Sequence, residues 1–324
     1  YQMNKKNVLL SLFVIVVMLA GYQYLDALLF SGIKPLKIKD QNFTANFYAK
    51  ENIKNKAVII LIGGGNWGNY WSQEFAKANY VGLSLPYHRL EGLPALMEEI
   101  PLDYFEKAID WLKKQPEVNS NKIIVMGASR NAELALLVAS YYPETVHGAI
   151  AFSPSSVSWS NTVLPYNSDT LKPSWIFKND EVPFIPMEKI KGGFSDAIET
   201  LPYWKQGLLD TIAVQKASIP VENIKGPILL LSGLDDAVWP SAMMSDLIEN
   251  RIKNNAFEFD FENIKYKNAG HLISGNPNQS SSIRQGEMWI DGKNYAFNFG
   301  GSNEGDAMAR KDAFTRIFQF LSKL

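Results

Sequence analysis

The stretch Ile123–Ser140, IIVMGASRNAELALLVAS, decides the fold of this 324-residue chain. It opens with a short apolar run, typical of a strand buried on both faces, and the run ends at a glycine. From Ala132 onward, apolar residues recur at helical spacing. Ser129 therefore stands in a tight turn between a strand and a helix. This resembles the G-x-S-x-G pattern of a nucleophile elbow, with Asn131 in place of the second glycine.

Such a turn pushes the serine hydroxyl into the open, and it needs small neighbours because the chain reverses so sharply. The helix that follows directs its N-terminus at the site, where it favours developing negative charge. We therefore predict that Ser129 is a catalytic nucleophile. The alternative is that Ser129 only caps the helix.

Short apolar runs and helical segments alternate along the rest of the chain. Strands are predicted at Phe43–Ala49, Ala57–Ile62, Tyr80–Leu85, Ala149–Phe152, Ile228–Leu231 and Phe259–Tyr266. Helices are predicted at Leu102–Leu112, Met243–Ile252 and Ala307–Leu321. This alternation predicts an α/β fold over residues 36–324, with a mostly parallel central sheet flanked by helices.

Residues 154–223 interrupt the alternation, since they are rich in Pro, Ser, Asn and Trp and contain few clean strands. We predict a lid-like insertion over the carboxyl edge of the sheet, where open α/β sheets bind ligands. Aromatic side chains of this insertion either line an acyl pocket or only pack the lid; those considered are Trp159, Trp175, Phe177, Phe184, Tyr203 and Trp204.

The amino-acid composition excludes several kinds of catalytic site, metal site and binding partner. The chain has no cysteine, which excludes disulfides, thiolate catalysis and cysteine-based metal sites. Its three histidines are too few and too scattered to suggest a zinc cluster, so no metal and no cofactor is expected. The formal net charge of −1 gives no reason to expect nucleic acid as a partner. A small-molecule substrate remains.

Two later segments can supply the partners of Ser129. A Gly-Leu-Asp-Asp motif follows the predicted strand at Ile228–Leu231, and its spacing to Trp-Pro favours Asp236 over Asp235 as the acid. His271 follows a further strand, so the chain order Ser, Asp, His is that of α/β-hydrolases. The other two histidines lie too early for this order. We therefore predict a catalytic triad of Ser129, Asp236 and His271.

An oxyanion hole is predicted from backbone N–H groups. A glycine-rich loop after an early strand provides Gly64, Gly65 and Asn66, and Arg130 directly follows the nucleophile. Such a loop could instead bind phosphate, but the Lys-Ser/Thr ending of a P-loop is missing. A plain flexible turn is the remaining alternative.

The N-terminus has its own pattern. Lys5 and Lys6 precede an apolar run from Val8 to Ala20, as in a secretory signal peptide or a signal anchor. We predict that residues 1–30 form such a segment, and that the protein is bacterial and either exported or membrane-anchored. A buried N-terminal helix is the alternative.

Several motifs together resemble a known family. They are LEGLPALMEEIPLDYFEKAIDWL (90–112), GASRNAELALL (127–137), IPVENIKGPILLLSGLDDAVWPS (219–241), NAGH (268–271) and GGSNEGDAMARKDAFTRIFQFL (300–321). From about Ala57 to the C-terminus, the chain resembles the C-terminal catalytic domain of the acyl-CoA thioester hydrolases and bile acid-CoA:amino acid N-acyltransferases. It is similar, more distantly, to dienelactone hydrolases.

This resemblance implies an α/β-hydrolase fold and the same three catalytic residues, Ser129, Asp236 and His271. The expected function is a serine hydrolase that cleaves an acyl thioester or carboxylic ester through an acyl-enzyme intermediate. Two alternatives stay open. One is an acyltransferase to an amine or alcohol; the other is a non-catalytic, membrane-attached binding protein, which only Asn131 supports.

Overall fold

We describe the protein from a computed structural model, which covers residues 5–30, 33–39, 43–162 and 170–324. The strands are β1 (Leu36–Lys39), β2 (Thr44–Tyr48), β3 (Lys56–Ile62), β4 (Val81–Leu85), β5 (Ile100–Pro101), β6 (Val118–Ala128), β7 (Ala149–Phe152), β8 (Trp175–Phe177), β9 (Asp180–Glu181), β10 (Ile228–Gly233), β11 (Phe261–Tyr266), β12 (Gln285–Ile290) and β13 (Lys293–Asn298). The helices are α1 (Lys5–Phe30), α2 (Gly65–Lys77), α3 (Asp103–Leu112), α4 (Arg130–Tyr141), α5 (Leu201–Gly207), α6 (Thr211–Ala217), α7 (Ser241–Asn254) and α8 (Asn303–Ser322), with a 3-10 turn at Val221–Asn223.

An eight-stranded sheet forms the centre, in the order β1-β2-β4-β3-β6-β7-β10-β11. From β4 to β11 every neighbouring pair is parallel, and β1 and β2 join antiparallel at one edge. The prediction of a mostly parallel sheet flanked by helices is confirmed.

Both faces of the central strands are buried, which explains why β3, β4, β7 and β10 do not alternate between apolar and polar residues. On β3, Val58 and Ile60 pack into a cluster with α3, α4 and α7. Ile59 and Leu61 point to the other face, where they pack with α2 and α8. Each predicted core strand and helix is present, with ends that differ by a few residues.

Several elements were not predicted from the sequence, among them the edge strand β1, helix α2 and the strands β12 and β13. Helix α2 begins inside the glycine-rich segment, at Gly65. Strands β12 and β13 pair as an antiparallel hairpin around Asp291 and Gly292, both of which have positive φ. An Asp-Gly turn between alternating strands is a strong hairpin signal, so this element could have been found from sequence.

The chain between β7 and β10 contains only short elements, and residues 163–169 of the predicted insertion lie outside the described residues. Strand β8 pairs with β5 and β9 in a small separate sheet. The insertion and the β12–β13 hairpin share a third apolar cluster, in which Trp159 and Trp204 pack near Met288 and Tyr295. The hairpin is therefore part of the structure that covers this end of the sheet.

Helix α1 stands apart from these clusters. The stretch Lys6–Leu25 is long and apolar enough to cross a membrane, and none of its residues is buried. Length and composition alone do not separate a membrane anchor from a cleaved signal sequence.

Candidate active site

Ser129 occupies the turn between β6 and α4 with φ 58° and ψ −127°. This is a backbone conformation that residues other than glycine rarely adopt, and such strain clusters at functional sites. The amide of Ser129 donates to the carbonyl of Phe152 on β7 at 2.9 Å, which ties the turn to the neighbouring strand. The side chain is half-buried and lines a cavity.

The turn is sterically demanding on both sides of Ser129. A β-carbon at Gly127 would lie 2.0 Å from the carbonyl oxygen of Asn131, far inside van der Waals contact. The first glycine of the motif is therefore required by the close approach of the helix that follows.

Asn131 fits because other residues make room for its side chain. A β-carbon at Gly63 would lie 2.3 Å from Asn131 Nδ2, so the amide fills space that this glycine leaves open. The hydroxyl of Tyr87 donates to Asn131 Oδ1 at 2.7 Å. The elbow thus keeps its conformation without the second glycine. Asn131 is therefore no longer an argument for the alternative of a non-catalytic binding protein.

Asp236 and His271 meet beyond the ends of β10 and β11. Asp236 Oδ2 lies 2.9 Å from His271 Nδ1, and both side chains are buried. The other contacts of the carboxylate hold it in place: it accepts from the Ser241 hydroxyl at 2.6 Å and from the backbone amides of Val238 and Trp239 at 2.9 and 3.3 Å. Asp235, the alternative acid, is exposed.

The imidazole of His271 is enclosed by aromatic rings. Trp239 stands edge-on to it at 5.9 Å between ring centroids, and Phe299 lies nearly parallel to it at 6.3 Å. Backbone bonds fix the same residue: its amide donates to the Phe299 carbonyl at 2.8 Å, and its carbonyl accepts from the Ser153 hydroxyl at 2.9 Å. The ring is thus held in one orientation.

Ser129 and His271 line the same cavity, whose volume is about 580 Å³. Apolar and aromatic side chains form most of its wall: Ala128, Trp204, Val238, Trp239, Met288, Trp289, Phe297 and Phe299. Its polar lining, besides these two residues, consists of Arg89, Arg130, Asn131 and Glu287. A mostly apolar cavity with a few convergent polar groups suits a small organic ligand.

The four predicted oxyanion residues are placed differently. Arg130 lines the cavity and is the first residue of α4, where helix geometry leaves the backbone N–H without an intrahelical acceptor. Gly64, Gly65 and Asn66 are absent from the cavity lining in the described part of the chain. The Gly64 amide donates to the Leu61 carbonyl at 3.2 Å, because the glycine segment turns directly into α2. Gly64 is therefore a poor oxyanion donor in this conformation.

Of the six aromatic residues of the insertion named in the sequence analysis, Trp204 lines the cavity. Trp159 and Trp175 are fully buried, and Phe177 packs against Tyr141. Trp204 thus lines the pocket, as one alternative predicted, whereas Trp159, Trp175 and Phe177 pack within the protein, as the other predicted. Most of the remaining wall was not predicted from the sequence, including Glu287, Met288, Trp289 and Phe297 of the hairpin and the following Phe299.

Comparison with known proteins shows the family to which the chain belongs. The family model described as BAAT / Acyl-CoA thioester hydrolase C terminal matches residues 100–324. The chain belongs to this family. The predicted resemblance is confirmed.

Two mammalian proteins are among the curated relatives of this family member. Acyl-coenzyme A thioesterase 1 of Mus musculus is 29% identical over 294 residues, which are 90% of this chain and 65% of that protein. Mitochondrial acyl-coenzyme A thioesterase 2 of Homo sapiens is 28% identical over 267 residues, 82% of this chain and 52% of that protein. The chain thus spans less than two thirds of the length of either relative. These relatives give no support to the prediction of a bacterial, exported protein.

Solved structures share the fold at low sequence identity. A dienelactone hydrolase-like promiscuous phosphotriesterase from metagenomic libraries has a TM-score of 0.54 and 12% identity, covering 90% of this chain and 99% of that one. An acylaminoacyl peptidase of Pyrococcus horikoshii has a TM-score of 0.53 and 16% identity, covering 91% of this chain and 43% of that one. The predicted α/β-hydrolase fold is confirmed.

Proposed function

We propose that the protein is a serine hydrolase of acyl thioesters or carboxylic esters. The observation that carries the proposal is that Ser129, on a strained turn, shares one cavity with the imidazole of His271, which is hydrogen-bonded to the buried Asp236. A hydroxyl, an imidazole and a carboxylate in this order activate serine for nucleophilic attack.

In the proposed reaction, His271 takes the hydroxyl proton while Ser129 Oγ bonds to the acyl carbon. Asp236 accepts from Nδ1–H, so that Nε2 is the basic nitrogen, and it stabilises the imidazolium that forms. The Arg130 amide, at the N-terminus of α4, faces the developing oxyanion. His271 then protonates the leaving thiolate or alkoxide. Water attacks the acyl-enzyme in the reverse sequence and releases the acid.

The substrate class follows from the cavity and the relatives together. A wall of Trp204, Met288 and Phe297 offers apolar surface to an acyl chain. The curated relatives are named acyl-coenzyme A thioesterases, and this points to a thioester as the bond that is cleaved. We further propose that the apolar stretch Lys6–Leu25 attaches the enzyme to a membrane.

The test uses the full chain in detergent with p-nitrophenyl esters and acyl-CoA thioesters of several chain lengths. Ser129→Ala should lower kcat by roughly 10⁴-fold or more and abolish labelling by a fluorophosphonate probe. Ser322→Ala, at an exposed serine on the last turn of α8, is the matched control and should change neither. Equal turnover by Ser129→Ala and the wild type would refute the proposal.

Added amine or alcohol acceptors distinguish hydrolysis from transfer in the same assay. Free acid as the product at all acceptor concentrations supports a hydrolase. A product that carries the acyl group on the acceptor would instead assign the protein to the acyltransferases.

A further inference from the structure

Two charged side chains are buried directly behind the proposed nucleophile. Arg130 and Glu133, on the first turn of α4, are 5% and 0% exposed, and Arg130 Nη1 lies 2.5 Å from Glu133 Oε2. Burial raises the pKa of Glu133, and the positive charge of Arg130 opposes that rise. Burying an ion pair removes both ions from water at a cost that can exceed their attraction, so such a pair is weak evidence for stability. Its presence calls for another explanation.

The remaining hydrogen bonds of the pair go to the insertion. Glu133 Oε1 accepts from the backbone amide of Trp159 at 3.1 Å and from the indole of Trp175 at 2.7 Å. Arg130 Nη2 donates to the Ser174 hydroxyl at 2.6 Å and to the Trp159 carbonyl at 3.3 Å. The helix that follows the nucleophile is thus joined to the insertion by buried polar contacts.

A series of ring contacts leads from this junction to the imidazole. Trp159 and Trp204 meet edge-on at 4.8 Å between centroids, and Trp204 and Trp239 at 5.2 Å. Trp239 in turn contacts His271 at 5.9 Å. Trp204, Trp239 and His271 all line the cavity. Trp159 is therefore linked by consecutive ring contacts to the cavity wall and to the ring beside the base.

We infer that Glu133, whose charge is balanced by Arg130, is a positioning residue that holds the insertion so that Trp204 and Trp239 form the acyl-binding wall next to His271. The inference rests on the proposed function and deepens it, because it assigns acyl-chain selection to the junction between α4 and the insertion. The hydrogen bonds from Trp159 and Trp175 to Glu133, rather than the ion pair itself, hold the insertion in this position.

Two double variants separate these contributions. Arg130→Met/Glu133→Gln removes both charges but keeps a side-chain oxygen that can accept from Trp159 and Trp175. Arg130→Met/Glu133→Leu removes the charges and the acceptor together, and a well-packed apolar replacement of a buried pair preserves folding in many cases. Both retain the backbone N–H of residue 130.

The measurement is the ratio of kcat/KM for p-nitrophenyl decanoate to that for p-nitrophenyl acetate. The Gln variant should keep this ratio within about 3-fold of wild type, whereas the Leu variant should lower it about 10-fold or more, mainly through KM for the decanoate. Wild-type ratios in both folded variants would overturn the inference.

Trp175→Phe keeps the test decisive if the Leu variant does not fold. It removes one donor to Glu133 and keeps an aromatic ring, and the ratio should fall about 3-fold or more. An unchanged ratio overturns the inference. Glu222→Gln is the matched control. Glu222 Oε1 lies 2.5 Å from Arg251 Nη2, and neither residue lines the cavity, so this variant should leave the ratio unchanged.

Fluorophosphonate labelling distinguishes a failure of the proposed function from a failure of the positioning role. A wild-type protein that is not labelled at Ser129 refutes the proposed function. A wild-type protein that is labelled, together with unchanged ratios in the variants, refutes the positioning role alone.

Discussion

The amide of Asn131 fills the space that a β-carbon at Gly63 would need, with 2.3 Å between Nδ2 and that position. The two residues lie on different elements, at the end of β3 and in the first turn of α4. Tyr87 fixes the amide from the other side through a 2.7 Å hydrogen bond. The glycine that makes room at the elbow is therefore Gly63, directly after β3, rather than a glycine at position 131 in α4.

This relationship predicts coupling between the two positions. Gly63→Ala should destabilise the protein through both the clash and the positive φ of 96° at this residue. In an Asn131→Gly background the clash is gone and only the backbone strain remains, so the cost should be smaller by about 0.5–3 kcal/mol. Urea unfolding of the four proteins in the cycle measures this. Strictly additive changes would show that the two residues do not compete for space.

Gly127→Ala should destabilise the protein by roughly 1–3 kcal/mol or more, because its β-carbon would overlap the carbonyl of Asn131. Gly193→Ala is a suitable control, since a β-carbon there meets nothing within 4 Å. Thermal unfolding of both variants gives the comparison. Similar melting temperatures for the two would contradict the packing described for the elbow.

The two neighbouring aspartates should differ sharply in function. Asp236→Asn should lower kcat/KM by about 10³- to 10⁴-fold, because the amide cannot hold the imidazole tautomer that a base requires. Asp235→Asn changes an exposed carboxylate and should remain within about 2-fold of wild type. Ester hydrolysis at pH 8 measures both. A larger loss from the substitution at 235 would reverse the assignment.

Met288 should limit the length of acyl chain that the cavity accepts. Its side chain is buried on the hairpin and lines the cavity, so Met288→Ala enlarges the site. The kcat/KM ratio of long-chain to short-chain p-nitrophenyl esters should rise by roughly 3- to 10-fold. Met308→Ala, on an exposed face of α8, should leave the ratio unaltered. A ratio that does not move would remove the hairpin from the acyl-binding wall.

His88 should make the protein less stable in mild acid. Burial, and secondarily the charge of Arg89, lowers the pKa of this imidazole from 6.5 to about 4. Between these pH values the unfolded chain binds a proton that the folded chain does not, so the free energy of unfolding falls as pH decreases from 6.5 to 4. Below pH 4 this contribution stops changing.

His88→Phe should therefore flatten the dependence of unfolding free energy on pH in that window. Urea unfolding at half-unit pH steps measures the slope for both proteins. The variant keeps a ring against Tyr87, which His88 contacts at 4.7 Å between centroids. Parallel curves for the variant and the wild type would show that His88 is protonated equally in the folded and unfolded states.

The sequence by itself determined the α/β architecture, because strands buried on both faces must be continuously apolar and the helices between them must be amphipathic. It also determined the order in which Ser129, Asp236 and His271 follow their strands, as parallel strands bring their carboxyl ends to one edge. These are properties of local segments, and they can be read one at a time.

Only the tertiary structure decided which aspartate faces His271, how Asn131 fits the elbow, and which residues enclose the cavity. Each depends on contacts between segments far apart in the chain, such as Trp204 of the insertion and Met288 of the hairpin, which meet in one apolar cluster. Only the tertiary structure likewise shows that Arg130 lines the cavity whereas, among the described residues, Gly64, Gly65 and Asn66 do not. No local pattern encodes such distances, because they arise when separate elements pack together.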